Sequence, residues 1–224
     1  MIKIALVDDH IIARRGLKAI FESEKDIEVV WEASNGKELI DNLANTVSIP
    51  EIIVLDINMP ILSGIDVIDK IKSEYPKISI LVFSLLYSED TIINMITKGA
   101  CGYLSKTTDP EIFPEVIRQI HTSGFYLGDL VKKEFFKKYN AIKLKPGFYG
   151  KEFLTAKEVE FIKLSSSNLS YKEIAVHLNI NPKTVENYRD SLFQKLDINN
   201  RAALTVFAYQ SGIVNLQPKG KSKS

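Results

Sequence analysis

Cysteine is almost absent from this chain of 224 residues, which contains only Cys101. A single cysteine cannot form a disulfide within the chain, and we expect this one to pack as a small apolar side chain. Long apolar runs are missing too, since no stretch approaches the roughly 18 residues that a membrane-spanning helix needs. The first residues, MIKIALVDDH, turn acidic too early for a secretory signal peptide. The sequence therefore predicts a cytoplasmic protein with its own hydrophobic core.

The chain as a whole also lacks an excess of either charge, because its formal net charge is only +1. That balance conceals a contrast between the two halves. Residues 1–122 contain 12 Lys and Arg against 19 Asp and Glu, a net −7, whereas residues 123–224 contain 17 against 9, a net +8. A basic half is typical of proteins that meet a polyanion, although basic tails are also often simply solvated. An acidic half is thus joined to a basic half, whose surplus lies mostly in residues 132–145 and in the tail KGKSKS.

Short apolar runs alternate with segments of helical spacing through the first half of the chain. The predicted strands are 2–7, 27–31, 52–55, 78–83 and 102–104. The predicted helices are 11–22, 37–43, 65–73, 90–97 and 110–120. Five such units predict the α/β class: a doubly wound, five-stranded parallel sheet with helices on both faces.

Polar residues follow several of these strands, at the edge where an open parallel sheet places its ligand crevice. A single aspartate in such a place is commonly a loop cap, but five polar residues together indicate a site. Three carboxylates at one edge would repel one another unless a cation lay among them, and Mg²⁺ suits oxygen ligands of this kind. The residues are Asp8 and Asp9 after the first strand, Asp56 after the third, Ser84 after the fourth, and Lys106 after the fifth.

The motifs at these positions resemble a response-regulator receiver domain, a flavodoxin-like fold, over residues 1–122. They are DD at 8–9, LDINMPILSG around Asp56, FS at 83–84 and GYLSK ending at Lys106. The resemblance implies that Asp56 accepts a phosphoryl group from a histidine kinase. It also implies that Asp9 and Asp56 ligate Mg²⁺ together with the backbone carbonyl of Asn58, and that Asp8 contributes through water.

The same resemblance implies roles for the remaining polar residues. Phosphoryl transfer depends mainly on positioning and charge neutralisation, which Lys106 would supply. Ser84 would bond a phosphoryl oxygen, and Tyr103 would change rotamer as that hydroxyl moves. Leu86 cannot orient a water for hydrolysis, so we expect a long-lived phosphoryl group. A haloacid-type phosphatase needs an acid two residues after the nucleophile, where this chain has Asn58. We therefore expect a regulator and not an enzyme.

The second half is predicted to be all-α, with four helices and explicit helix start signals. The spacing of the helices at 170–178 and 183–196 predicts a helix-turn-helix, whose second helix enters the DNA major groove. The resulting division is a receiver at 1–122, a linker at 123–150, a helix-turn-helix domain at 151–216 and a basic tail at 217–224. The start signals are Thr155 with Glu158, Ser170 with Glu173, Asn181 with Pro182, and Asn199 or Asn200.

Residues 152–216 resemble the LuxR-type, or NarL/FixJ-family, DNA-binding domain. The motifs are LTAKEVEFIKL, LSYKEIAVHLNINPKTVENYRDSLFQKLDI and NRAALTVFA. Within the predicted recognition helix, Lys183, Thr184, Arg189 and Lys195 suit phosphates, and Glu186, Asn187 and Asp190 suit base edges. Tyr188 stands where the family commonly has histidine, which leaves its contact open.

Residues 150–216 contain only 8 basic against 7 acidic residues, so we expect the active protein to dimerise on a promoter. A two-fold dimer calls for an inverted repeat in double-stranded DNA. The predicted dimer face is Leu204, Phe207 and Ala208, because these apolar residues recur at helical spacing. The alternative function is a phosphorelay or anti-activator protein whose helical domain binds protein rather than DNA.

Overall fold

The computed structural model describes residues 1–85, 88–128 and 154–214. Leu86, most of the predicted linker and the basic tail lie outside these described residues. The chain divides into two compact units, Met1–Gly128 and Asp129–Ser224. Within the described ranges, none of the helices combines the length and the apolar character needed to span a membrane.

The first unit contains the five-stranded parallel sheet that the sequence predicts. The strand order is β2-β1-β3-β4-β5, with every neighbouring pair parallel. The chain first builds outward from β1 to β2 and then returns to place β3 on the other side of β1. Such a reversal leaves a crevice at the carboxyl ends of β1 and β3. The strands are β1 (Ile2–Val7), β2 (Ile27–Ala33), β3 (Ile52–Leu55), β4 (Ser79–Ser84) and β5 (Gly102–Ser105).

Five helices connect and follow the strands. Three begin at side chains that accept the backbone N–H of the third helical residue, because Asn35, Ser63 and Ser88 cap α2, α3 and α4 in this way. A short 3₁₀ turn, Pro110–Ile112, precedes the last of them. The helices are α1 (Ile11–Glu22), α2 (Gly36–Asn45), α3 (Gly64–Glu74), α4 (Glu89–Lys98) and α5 (Phe113–Ser123).

The sheet is buried on both faces, which explains why its strands are continuous apolar runs rather than alternating ones. Helices α1 and α5 cover one face, where the ring of Phe113 meets those of Phe21 and Phe83 edge to face at centroid distances of 6.3 and 4.9 Å. Helices α2, α3 and α4 bury their apolar stripes on the other face. Packing on both faces fixes the strand ends, and with them the polar residues at the carboxyl edge.

The second unit contains four helices within its described residues: α6 (Ala156–Ser165), α7 (Tyr171–His177), α8 (Pro182–Leu196) and α9 (Arg201–Gln210). Both predicted capping boxes are present, one at the start of α6 and one at the start of α7. Asn181 and Asn200 cap α8 and α9 through their side-chain oxygens. Helices α7 and α8 form the predicted helix-turn-helix, and Asn179 in its turn adopts a left-handed backbone with φ of 51°.

The predicted dimer face on α9 is wrong. Leu204, Phe207 and Ala208 are buried in the core of their own domain, where they pack with residues such as Phe161 and Leu192. A four-helix domain of this size needs the apolar stripe of its last helix to close its core. The three side chains are therefore not a surplus that awaits a second copy of the chain.

Candidate functional site

The carboxylate of Asp56 lies at the carboxyl end of β3 and is almost fully buried, with 1% of the residue exposed. Its Oδ1 accepts hydrogen bonds from the Ser84 hydroxyl at 2.6 Å and from the backbone N–H groups of Ile57 and Asn58 at 2.6 and 3.3 Å. Its Oδ2 accepts from the Lys106 ammonium at 2.6 Å. Both oxygens are thus oriented by donors from three different strand ends.

Lys106 links two carboxylates across the crevice. Its Nζ lies 2.6 Å from Oδ2 of Asp56 and 2.7 Å from Oδ2 of Asp8. Burial lowers the pKa of the Lys106 ammonium, but its contacts with Asp56 and Asp8 outweigh burial and hold that pKa above its usual value. The group is therefore a fixed positive charge beside the Asp56 carboxylate.

An acidic cluster surrounds this pair. The carboxylates of Asp8, Asp9 and Asp56, together with the imidazole of His10, place one possible ligand atom each within 4.8 Å of one another. In the described part of the chain, Oδ2 of Asp8 and Oδ1 of Asp9 are buried oxygens that accept no hydrogen bond. Their nearest partners, Lys106 Nζ for Asp8 and His10 Nδ1 for Asp9, are close but poorly directed. Buried acceptors without directed donors fit a bound cation.

The other predicted residues are also at this edge. The buried Tyr103 hydroxyl lies 3.4 Å from the carbonyl oxygens of both Ser84 and Leu85, where β4 ends. Asn58 lies beside the site through its backbone, since its N–H points at Asp56. The sheet thus brings together all the predicted phosphorylation-site residues, which the sequence separates by up to about a hundred positions.

Sequence reasoning missed two neighbours of the site. Arg14 donates from its guanidinium to the backbone carbonyl of Asp8 and pairs with Glu32 at 3.0 Å. Gly64 is the other, because a Cβ on it would lie 2.2 Å from the carbonyl oxygen of Asp56. The sequence did contain a signal for Gly64, because the dipeptide Ser63-Gly64 immediately precedes the third predicted helix. Arg14 carried no such signal, because only the fold brings α1 against the end of β1.

In the second unit, helix α8 has one buried and one exposed face. Val185, Leu192 and Leu196 face the core. The opposite stripe is exposed and polar, and it contains Ser191 and Gln194, which sequence reasoning missed although they follow Asn187 at helical spacing. The exposed polar residues of α8 are Lys183, Asn187, Asp190, Ser191 and Gln194.

Four of the five charged residues on α8 pair within the helix. Lys183 bonds Glu186 at 2.8 Å, and Arg189 bonds Asp190 at 2.8 Å. Each acid thus offsets a neighbouring base, which leaves the helix with little net field toward a phosphate backbone. Thr184, the remaining predicted phosphate contact of the first turn, is half-buried.

Two residues predicted to contact DNA have other partners. The ammonium of Lys195 lies 2.9 Å from both carboxylate oxygens of Glu158, the capping residue of α6. Tyr188 is half-buried and stacks on Phe161, with ring centroids 5.9 Å apart. Both side chains contribute to the packing of their own domain, and their contacts with DNA stay a prediction.

Comparison with known proteins agrees with this architecture. Residues 4–118 match the family described as the response regulator receiver domain, and residues 152–208 match the bacterial regulatory proteins of the luxR family. The chain belongs to the NarL/FixJ family of response regulators. It is therefore a receiver joined to a LuxR-type DNA-binding domain.

Relatives match over nearly the whole chain. The nitrate/nitrite response regulator protein homolog of Haemophilus influenzae is 32% identical, over 93% of this chain and 97% of its own. NarL, the nitrate/nitrite response regulator of Escherichia coli, is also 32% identical, over 94% and 96%. The Salmonella typhimurium response regulator RcsB, in a structure described for its conformational dynamism for DNA interaction, superposes with a TM-score of 0.55 at 26% identity, over 92% of this chain and 97% of that one.

Proposed function

We propose that Asp56 accepts a phosphoryl group from the phosphohistidine of a sensor kinase. One carboxylate oxygen attacks the phosphorus, an O–P bond forms, and the P–N bond to the kinase histidine breaks. The observation that supports this proposal is the set of donors on Asp56, because Ser84, Lys106 and two backbone N–H groups orient a buried carboxylate at the edge of the crevice. Lys106 neutralises charge that develops on the transferred group.

The acidic cluster fits Mg²⁺. Two of its buried oxygens lack directed donors, and oxygen ligands with room for water and phosphate suit this ion. Asp9 and Asp56 would hold it with the backbone carbonyl of Asn58, and Asp8 would contribute through water. When bound, the ion would supply further charge neutralisation for phosphoryl transfer.

Labelling followed by intact-mass measurement tests the phosphoacceptor. The full chain is incubated with acetyl phosphate and Mg²⁺, and we expect one acid-labile adduct of a phosphoryl group. Asp56→Asn should abolish it, whereas Asp66→Asn, which removes an exposed carboxylate from the first turn of α3, should not. A full adduct on Asp56→Asn would show that another carboxylate accepts the group.

The output half uses the exposed stripe of α8 to bind promoter DNA. Lys183, Thr184 and Arg189 contact phosphates, which sets the register of the helix. Asn187 suits adenine, and Glu186 and Asp190 suit the amino group of cytosine once their paired bases turn to the phosphates. Because the near-neutral charge of the domain limits the affinity of a single copy, the active species is a homodimer on an inverted repeat.

Phosphorylation then acts as a population shift. The Ser84 hydroxyl exchanges its bond to Asp56 for one to a phosphoryl oxygen, and the buried Tyr103 ring adjusts beside it. We assign residues 1–122 to the receiver, 123–150 to the linker, 151–216 to the DNA-binding domain and 217–224 to a basic tail. A regulator that reads chromosomal promoters acts in the cytoplasm, and it acts by binding rather than as an enzyme.

The proposed DNA binding is tested with duplex DNA that the parent protein has selected from a random-sequence library. With acetyl phosphate and Mg²⁺, affinity should rise and should fall steeply with salt. Lys183→Ala should reduce the slope of log affinity against log salt by about one, whereas Asn187→Ala should lower discrimination at one base pair by about 1–3 kcal/mol. If phosphorylated protein shows no salt-dependent DNA binding, the helical domain binds protein, as in a phosphorelay or an anti-activator.

A further inference from the structure

The ring of Tyr171 lies where the four described helices of the second unit meet. Tyr171 is the first residue of α7, and its ring stacks on Phe161 of α6 at a centroid distance of 6.4 Å and an interplanar angle of 4°. Two arginines also approach this ring, since the guanidinium carbons of Arg189 on α8 and Arg201 on α9 lie 5.6 and 4.9 Å from its centre. One aromatic side chain thus joins α7 to the other three helices.

The two arginines differ in what else they bind. Arg201 is 4% exposed and donates to two backbone carbonyls, so its charge is used inside the domain. The side chain of Arg189 is 31% exposed, and its Nε and Nη2 both lie 2.8 Å from the same oxygen, Oδ1 of Asp190. Within the described residues, Nη1 of Arg189 donates no hydrogen bond. The remaining edge of this guanidinium is therefore available to an anion that approaches α8.

An aromatic ring can hold a guanidinium in place without using any of its donors. Cation–π attraction acts on the charge of the group, whereas a phosphate is recognised by the N–H groups along its edge. Arg189 can therefore be held by Tyr171 and bond a phosphate at the same time. An arginine that is ordered before binding also avoids the entropy cost of immobilising a long side chain in the complex.

We propose that Tyr171 is a positioning residue for DNA binding, because its ring holds the Arg189 guanidinium beside the exposed stripe of α8, where it bonds a DNA phosphate. Tyr171 itself is half-buried against the core of the domain and acts through Arg189. The first helix of the helix-turn-helix thereby helps to set the register that the second adopts on DNA. This inference rests on the phosphate contact of Arg189 proposed above.

A purely structural role for Tyr171 leads to a different expectation. Removal of the ring would then destabilise the domain through its contacts with Phe161 and Arg201, and it would weaken DNA binding equally with or without Arg189. A positioning role acts only through Arg189, so the loss of affinity should vanish once that guanidinium has been removed. A double-mutant cycle between residues 171 and 189 therefore separates the two roles.

The cycle is measured on the full chain with acetyl phosphate, Mg²⁺ and the selected duplex DNA, at a temperature at which circular dichroism shows every variant to be folded. In the parent background, Tyr171→Leu should weaken binding about two- to tenfold, and Tyr171→Phe, which keeps the ring, by less than about twofold. In the Arg189→Ala background, Tyr171→Leu should change the affinity by less than about twofold. Phe193→Leu is the matched control, because it removes another partly buried ring from the same core, and its effect should be equal in both backgrounds.

NMR of the full chain without DNA gives a second readout, which reports the contact itself rather than stability. The ring current of residue 171 should shift the Nε–H proton resonance of Arg189 upfield, and this resonance is assigned by its absence from Arg189→Ala. The upfield shift should persist in Tyr171→Phe and be lost in Tyr171→Leu. An upfield shift that survives in Tyr171→Leu, or an equal loss of affinity in both backgrounds, would overturn the proposal.

Arg189→Ala alone separates failure of the inference from failure of the underlying contact. This change should lower the slope of log affinity against log salt by about one. If it does so while Tyr171→Leu costs the same in both backgrounds, the phosphate contact stands and Tyr171 is not a positioning residue. If Arg189→Ala leaves affinity and slope unchanged, Arg189 meets no phosphate, and the role of Tyr171 fails with it.

Discussion

Nζ of Lys106 lies 2.6 Å from Oδ2 of Asp56, so the residue after β5 directly contacts the residue after β3. The two are 50 positions apart in sequence and meet because β4 separates their strands by only one place in the sheet. Each group offsets the cost of burying the other's charge. The half-buried ammonium is paired with a carboxylate, and the buried carboxylate accepts from a charged donor. A phosphoryl group on Asp56 must therefore rearrange this contact.

Carboxylate repulsion is expected to limit the stability of the cation-free receiver. Asp9→Asn removes one of three clustered charges and a buried oxygen without a directed donor. In EDTA, we expect the free energy of unfolding to rise by about 1 kcal/mol, and the added stability that Mg²⁺ confers to shrink. Urea unfolding with excess Mg²⁺ and with EDTA measures both quantities.

Asp41→Asn is the control for that experiment, because it removes an exposed carboxylate that pairs with Lys37 on α2. It should change stability by less than about 0.5 kcal/mol in either condition. A loss of stability for Asp9→Asn in EDTA would contradict the claim that the carboxylates repel one another in the absence of a cation.

Two glycines should respond to alanine in opposite directions. At Gly64 a Cβ would lie 2.2 Å from the Asp56 carbonyl oxygen and 2.7 Å from Cα of Ile57, so backbone must move. We expect Gly64→Ala to cost about 1–3 kcal/mol and to slow labelling of Asp56. At Gly16, inside α1, a Cβ meets nothing within 4 Å, and Gly16→Ala should stabilise by about 0.5–1 kcal/mol. Urea unfolding of both variants checks the contrast.

Much of this fold was predictable because its signals are local. The bounds of β1 and β3 agree with the sequence prediction, since a strand buried on both faces is an unbroken apolar run between polar residues. The capping boxes of α6 and α7 marked their starts with equal clarity. The clustering of the polar residues followed from topology, because parallel strands bring their carboxyl ends to one edge.

The failures were in pairings that no local pattern encodes. The sequence did not predict that the ammonium of Lys195, which is expected to contact a phosphate, pairs with Glu158. Leu204 and Phe207 were interpreted as a spare apolar face, although the area needed to close a four-helix core depends on how the helices pack. A local sequence window contains neither kind of information.

Backbone strain at Ile61 is another feature that the sequence did not predict. Ile61 has φ of 71°, a left-handed conformation that is unfavourable for a β-branched residue, and its side chain is 77% exposed. Because the side chain loses little packing on removal, we expect Ile61→Gly to stabilise the protein by about 1 kcal/mol. Val47→Gly removes an even more exposed side chain from a residue with negative φ, and it should not stabilise. Stabilisation by both substitutions would rule out strain as the cause.

Arg201 is expected to be the most sensitive charged residue of the second unit. It is 4% exposed, donates to the carbonyl oxygens of Ser165 and Ser167 at 2.7 and 3.0 Å, and lies 4.9 Å from the centre of the Tyr171 ring. Burial lowers its pKa to about 10, so it remains charged at neutral pH. Arg201→Ala should destabilise by about 2–4 kcal/mol, because two carbonyls at the end of α6 lose a charged donor.

Arg201→Lys should recover only part of that loss, since an ammonium cannot reproduce a planar fork of donors. Arg15→Ala, at an exposed position of α1, should change the unfolding free energy by less than about 0.5 kcal/mol. Urea unfolding followed by circular dichroism measures all three. Full recovery by lysine would show that charge alone, and not the two directed bonds, stabilises this end of the helix.

The pair formed by Glu158 and Lys195 should make the stability of the second unit depend on pH. Burial raises the pKa of Glu158, but the bond from Lys195 and the bonds from Thr155 outweigh it and hold that pKa below its ordinary 4.5. A carboxyl with a lowered folded pKa stabilises above its unfolded pKa and loses that contribution as pH falls through the folded value. The pair should therefore stabilise fully above about pH 5 and progressively less below it.

Glu158→Gln tests this because glutamine can still close the capping box, so that mainly the charge is removed. At pH 7 we expect the variant to be less stable by about 1 kcal/mol, and the difference from the parent to shrink toward zero as pH is lowered through about 4. Glu173→Gln makes the same change in the capping box of α7, where the carboxylate is exposed and bonds Ser170. Within the described residues Glu173 forms no salt bridge with a lysine, so its effect should be smaller at every pH. A Glu158→Gln deficit that stays constant from pH 7 to about 3.5 would show that packing, and not the ion pair with Lys195, accounts for it.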